Sequence, residues 1–111
     1  MSQYNKDSIV ALATARGVGA LSVVRVSGDL SSNVFKSLTG IKNISSRYAY
    51  YSIIKSKNGV VLDDAIAIFY DGPKSFTGED SFEITCHGGD VVANNIINEI
   101  LHHGCRYANP G

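Results

Sequence analysis

Glu83, Thr85 and His87 recur at every second position of the segment Ser81–His87. In an extended strand they project from one side, while Phe82, Ile84 and Cys86 project from the other. A carboxylate, a hydroxyl and an imidazole in line supply the acceptors, donor and base that line a polar ligand pocket. The same alternation also describes the solvated side of an edge strand. Arg25 stands in the opposite setting, between Val24 and Val26 in an apolar run, and alternation aims it with Leu21 and Val23. A guanidinium there must reach water or find an acceptor. A bound anion or carbonyl satisfies it, and so does a structural ion pair with an acid on a neighbouring strand. His87-Gly88-Gly89-Asp90 leads from the polar strand into the next element. Its two glycines let a backbone approach a ligand with helix N–H groups aimed at it, although a need for positive φ is the commoner cause of such a turn.

Other combinations carry less chemistry. Cys86 and His87 are adjacent in a strand, so they face opposite ways and cannot act as nucleophile and base; Cys86 reads as core. His102 and His103 cannot chelate as helical neighbours, and the helix dipole explains basic groups in a last turn. No Gly-Lys-Ser/Thr occurs, which excludes a P-loop in these residues, and Gly17-Val18-Gly19 lacks the third glycine of a dinucleotide fingerprint. A stand-alone enzyme using Glu83 or His87 as general base lacks a nucleophile, metal set or partner acid at the needed spacing.

The elements that must position these groups follow from periodicity. Ile9–Ala13 reads as a short buried strand and Ala20–Ser27 as a second, closed by Gly28. Asp29 and Ser31 are good N-caps for a helix bearing Val34, Phe35 and Leu38 on one face and ending at Gly40. Tyr48–Lys55 reads as a strand, Lys57-Asn58-Gly59 as a hairpin turn into Val60-Val61-Leu62, and Ala65–Tyr70 as a central strand. A loop from Asp71 to Asp80 precedes the polar strand. Asp90 then caps an amphipathic helix whose apolar face is Ala93, Ile96, Ile97, Ile100 and Leu101, with Gly104 after its end. Arg106-Tyr107-Ala108 opens a further strand, and the terminal Pro110-Gly111 after that opening suggests a truncated element. The expected architecture is α+β: a mixed, mostly antiparallel sheet of about five strands with two or more helices on one face.

The chain has 111 residues, 44% apolar and 18% charged, which is one globular domain's worth and argues against disorder. No run approaches the ~20 apolar residues that span a bilayer, and the polar Met1–Asp7 leads into a strand without a signal-peptide pattern. Cys86 and Cys105 make neither a disulfide framework nor a metal site by count, so a reduced, cytoplasmic chain is expected. Net charge is zero but unevenly spread. Residues 1–57 carry eight Lys/Arg against Asp7 and Asp29, whereas residues 58–111 carry eight acids against Lys74 and Arg106. Either the fold interleaves the halves, or a bipolar surface pairs with a second copy or offers an anion site. Net charge gives no support for nucleic-acid binding beyond a weak contact through the basic half.

Three blocks together carry a resemblance. The first is Asp7-Ser8-Ile9-Val10-Ala11-Leu12-Ala13-Thr14 leading through Gly17-Val18-Gly19 to Val24-Arg25-Val26-Ser27-Gly28. The second is Gly72-Pro73-Lys74-Ser75-Phe76-Thr77-Gly78-Glu79-Asp80, followed by Glu83 and Cys86-His87-Gly88-Gly89, and the third is Ala108-Asn109-Pro110-Gly111. Over nearly its whole length the chain resembles the amino-terminal domain of the MnmE/TrmE family of tRNA-modification GTPases.

The resemblance implies a domain like the tetrahydrofolate-binding domains of one-carbon enzymes, which also mediates homodimerisation. Arg25 and Glu83 match the family's folate-contacting arginine and glutamate, with Thr85, His87, Gly88 and Gly89 as further candidates; a family lysine contact lies beyond residue 111. The implied ligand is a 5-formyl- or 5,10-methylene-tetrahydrofolate. A carboxylate accepts two hydrogen bonds from the amino-pyrimidine edge of a pterin, and a guanidinium suits a carbonyl or carboxylate. The full family protein works with a flavoprotein of the MnmG/GidA type on the wobble uridine of tRNA, and its GTP, potassium and magnesium belong to parts outside these residues. The expectation is a module that binds without catalysing; a purely structural dimerisation scaffold is the alternative.

Overall fold

A computed structural model describes residues 7–13, 21–73 and 78–108 of the chain. The elements in order are β1 (Ile9–Leu12), β2 (Leu21–Ser27), α1 (Ser31–Thr39), β3 (Tyr50–Lys55), β4 (Val61–Tyr70), β5 (Ser81–His87), α2 (Asp90–His102) and β6 (Arg106–Tyr107). The strands form one six-stranded sheet in the order β3-β4-β5-β2-β1-β6. Every pairing is antiparallel except that of β6 with β1. The architecture is the expected α+β, with one strand more than the five anticipated, because the two-residue β6 pairs along the outer edge of β1.

Alternation decides what each side of the sheet does. Val10, Val24, Val26, Ile54, Ala65, Ala67, Phe69, Phe82, Ile84 and Cys86 are buried on one face. There they pack with Val34, Phe35 and Leu38 of α1 and Ala93, Ile96, Ile97 and Ile100 of α2 in a single core. Phe35 sits at its centre, edge-on to Phe69, Phe82 and Tyr50 at ring separations of 5.6, 5.4 and 6.3 Å. Such aromatic contacts add roughly 0.5–1.5 kcal/mol each beyond the area buried. The opposite face carries Arg25, Glu83, Thr85 and His87 together with the exposed Leu21, Tyr51, Ile53 and Ile66. Among the described residues, no helix packs on it.

Several local expectations are corrected. Neither Asp29 nor Ser31 caps α1; Leu30 takes the N-cap position without a side-chain cap, and its N–H donates instead to Ser8 Oγ at 2.8 Å. Asp90 is the first residue of α2, not its cap, and Gly89 precedes it at φ 92°. The strand expected from Tyr48 begins at Tyr50. Val61, Leu62 and the segment Ala65–Tyr70 belong to one ten-residue strand that starts after Val60, with a register shift opposite Ile54 and Lys55. In that strand Ala65, Ala67 and Phe69 are buried and Ile66 is exposed, so its faces differ. Gly28, at φ 133°, closes β2 against Ser8, whose Cα would lie 2.5 Å from an added Cβ. Only glycine lets these segments meet there.

The sheet also interleaves the two charged halves. Arg25 of the basic half lies opposite Glu83 of the acidic half, and Arg106 Nε donates to Asp7 Oδ2 at 2.8 Å. No described helix is long and apolar enough to cross a membrane.

Candidate functional site

β2 and β5 are interior neighbours with a register that sets Arg25 directly across from Glu83. Both side chains rise from the face that no described helix covers. The guanidinium donates to one carboxylate oxygen twice, from Nε at 2.8 Å and Nη2 at 2.5 Å to Glu83 Oε2. The arginine side chain is 41% exposed and the glutamate 26%. Pairs this open contribute roughly 0.2–1 kcal/mol to stability, because water and salt screen them. The ion pair anticipated as one fate of Arg25 is therefore present, and its partner is the other residue singled out.

A hollow of about 240 Å³ runs along β1 and β2 on the Arg25 side of this pair, lined by Ile9, Ala11, Leu12, Ala13, Arg25 and Ser27. Its wall is aliphatic and its polar groups are few. At its end Ser27 Oγ donates to Glu79 Oε2 at 2.9 Å, bringing a second carboxylate from the β4–β5 connection to β2. Tyr70, at the end of β4, is held above the ordinary phenol pKa by burial first and by the Glu83 charge second. The Arg47 guanidinium, whose backbone has φ 65°, lies 5.4 Å from the centre of the Tyr70 ring.

Thr85 and His87 share the face of Glu83 but not its surroundings. Thr85 lies opposite Val23 and Ile66, and His87 lies opposite Leu21. Both border a second hollow of about 140 Å³, with Leu21, Tyr51, Asp64 and Ile66. His87 Nδ1 is 3.0 Å from Asp63 Oδ1, and that hydrogen bond raises the imidazole pKa. The His87 backbone N–H donates to Asp63 Oδ2 at 2.9 Å. The Tyr51 hydroxyl donates to Asp64 Oδ2, which lowers the carboxyl pKa of Asp64 and raises that of the phenol. Gly88 and Gly89 turn the chain from β5 into α2, and Gly89 has open space where a Cβ would stand. The structure thus brings Arg25 and Glu83 together and places Thr85, His87 and the glycines toward the other end of β5.

Sequence reasoning missed Tyr51, Asp63, Asp64 and Tyr70. The two adjacent acids inside an apolar run, Leu62-Asp63-Asp64-Ala65, were the available signal. His103 was assigned to the helix dipole; its Nε2 lies 3.0 Å from Glu99 Oε2 with both side chains about nine-tenths buried, so a specific partner holds it. Cys86 and Cys105 are free and buried, and burial pushes the Cys105 thiol up to about 11. Neither is poised as a nucleophile.

Residues 8–111 match the family described as the GTP-binding protein TrmE N-terminus. The chain belongs to that family. Among similar TrmE-type proteins, a tRNA modification GTPase MnmE from Nitratiruptor sp. is 45% identical over 111 residues, covering 100% of this chain and 25% of that protein. One from Helicobacter pylori is 47% identical over 105 residues, covering 95% and 23%. One from Pseudomonas entomophila is 43% identical over 106 residues, covering 96% and 23%. The chain spans about a quarter of the length of the curated relatives it matches. The TrmE amino-terminal family expected from the sequence blocks is confirmed, and with it the α+β sheet architecture.

Proposed function

We propose that this chain is the module of a tRNA-modification GTPase that binds a one-carbon tetrahydrofolate and joins two copies of the parent protein. The observation that carries the reading is the Arg25–Glu83 pair on an uncovered sheet face beside an aliphatic hollow of about 240 Å³. That volume is below the ~300–1,000 Å³ of whole small-molecule sites, so it suits a bicyclic ring better than an entire folate. The chemistry of the donor set fits. Glu83 accepts from the amino-pyrimidine edge, Arg25 donates to a carbonyl or carboxylate, and Ile9, Ala11 and Leu12 offer a wall for the ring. When bound, the folate supplies the one-carbon unit of the parent protein's reaction. A MnmG/GidA-type flavoprotein, the wobble uridine of tRNA, and GTP with potassium and magnesium belong to that parent, through regions outside residues 1–111.

The second reading, a scaffold with no ligand, draws on the same pair: Arg25 and Glu83 already satisfy one another. Calorimetric titration with 5-formyl-tetrahydrofolate separates the two. The folate reading expects saturable binding that Glu83→Gln and Arg25→Ala each weaken by roughly ten-fold or more, the scale of a charge-assisted hydrogen bond. No saturable binding by the unsubstituted chain with the dimer intact establishes the scaffold instead, and binding that Glu83→Gln leaves unchanged places the ligand away from this pair.

A further inference from the structure

Asp63 and Asp64 of β4 and His87 of β5 point three ligand atoms at a common centre. The coordinating atoms of all three lie within 4.8 Å of one another. His87 Nδ1 is 3.0 Å from Asp63 Oδ1 and 3.9 Å from Asp64 Oδ1. Metal–ligand bonds of roughly 2.0–2.2 Å in tetrahedral geometry require ligand atoms about 3.3–3.6 Å apart. The two separations from His87 bracket that range and all three atoms lie within 4.8 Å, so seating an ion asks the side chains to close by up to about an ångström.

Two further features distinguish this group from a patch of surface acids. The Oδ2 atom of Asp64 is taken up from outside the centre by the Tyr51 hydroxyl, while the Asp63 carboxylate is held by the His87 backbone N–H with both its oxygens, at 3.0 and 3.1 Å, against His87 Nδ1. Asp64 Oδ1 is thereby left toward the imidazole and Asp63 faces it with its whole carboxylate, as outer hydrogen bonds orient carboxylate ligands in metal sites. Beside the centre lies the 140 Å³ hollow lined by Leu21, Tyr51, Ile66 and Thr85, which gives an incoming molecule access to a remaining coordination position. Asp63 itself is only 11% exposed, although it lies near the end of the sheet.

We infer that Asp63, Asp64 and His87 form a binding site for a divalent cation of borderline hardness, with its open position facing the hollow between β4 and β5. One imidazole and two carboxylates suit Zn²⁺ and its neighbours, whereas Mg²⁺ and Ca²⁺ prefer oxygen-only sets with more ligands. The site stands four residues along β5 from Glu83, about 13 Å of strand, and does not depend on the folate reading.

The test is equilibrium dialysis of the 111-residue chain against Zn²⁺ with excess Mg²⁺ present, and visible absorption spectra of the Co²⁺-loaded chain. One ion per chain is expected, with an intense tetrahedral-type Co²⁺ spectrum. His87→Ala and Asp64→Asn should each weaken binding at least ten-fold, Tyr51→Phe several-fold, and Arg25→Ala, His102→Ala and Asp71→Asn not at all. Circular dichroism confirms folding; Asp64 is exposed, so Asp64→Asn decides the matter should His87→Ala fail to fold. Absence of saturable Zn²⁺ binding, or binding that survives Asp64→Asn undiminished, overturns the site.

Discussion

The two faces of the sheet are made by alternate residues of the same strands, yet they obey different rules. On the helix-covered face, Phe82 and Ile84 of β5 are completely buried against aromatic and aliphatic neighbours. On the uncovered face, Glu83 of the same strand meets an arginine and Thr85 borders a hollow shared with Tyr51. One face stores stability; the other presents polar groups at positions that the first holds fixed. The lesson is a division of labour at single-residue resolution. Substitutions one position apart should differ several-fold in their effect on folding and in the opposite order on binding.

The largest test of that contrast is Phe82→Ala. It empties the space against Phe35 and should cost roughly 3–5 kcal/mol in urea unfolding, near the whole stability of a small domain. A loss under about 1 kcal/mol would show that the aromatic cluster is not the centre of the core. Gly28→Ala comes next, at roughly 2 kcal/mol or more, because its Cβ would collide with Ser8 at a φ that L-residues avoid. Full stability in that variant would mean β2 does not close on Ser8.

An alkaline titration probes the covered side differently. Burial pushes the Cys105 thiol up to about 11 from its ordinary value of 9.0. A raised folded-state pKa favours the folded chain at low pH and loses that advantage as the unfolded thiol ionises. Stability should therefore fall between about pH 9 and 11, by about 2 kcal/mol, and Cys105→Ala should remove that portion of the slope. An unchanged slope in the variant would assign the loss to other groups. Glu83→Gln on the uncovered face should cost no more than about 1 kcal/mol. Thr85→Val should stay within about 0.5 kcal/mol. A Glu83→Gln loss as large as that of Phe82→Ala would erase the distinction between the faces.

Much of this was legible in the residues. The two-residue period of Ser81–His87 and the glycines at 28, 40 and 104 placed β5, β2 and the helix ends, since local sterics decide such features. The helix starts were not legible. The N–H at Leu30 is satisfied by Ser8, 22 positions away, so good cap residues at Asp29 and Ser31 went unused. β4 was split in two because Asp63 and Asp64 break its apolar run, and the groups that accommodate them, Tyr51 and His87, lie on other strands. Arg25 and Glu83 were each recognisable as polar groups needing partners. That they meet one another follows from register, which only the assembled sheet defines.

The place of β6 beside β1 has a consequence in time. Ala108 N–H donates to Val10 C=O at 2.8 Å, and Arg106 N–H to Ser8 C=O at 2.9 Å, across almost the full chain. A ribosome adding about 5–20 residues each second delivers those donors some 5–20 s after β1 has emerged. Until then the outer edge of β1 is open, and its inner partner β2 waits for β5. The β3–β4 hairpin, by contrast, closes as soon as it is made. Among the described strands, order therefore spreads from the hairpin edge toward the other edge, and the parallel pairing of β6 is the last to form.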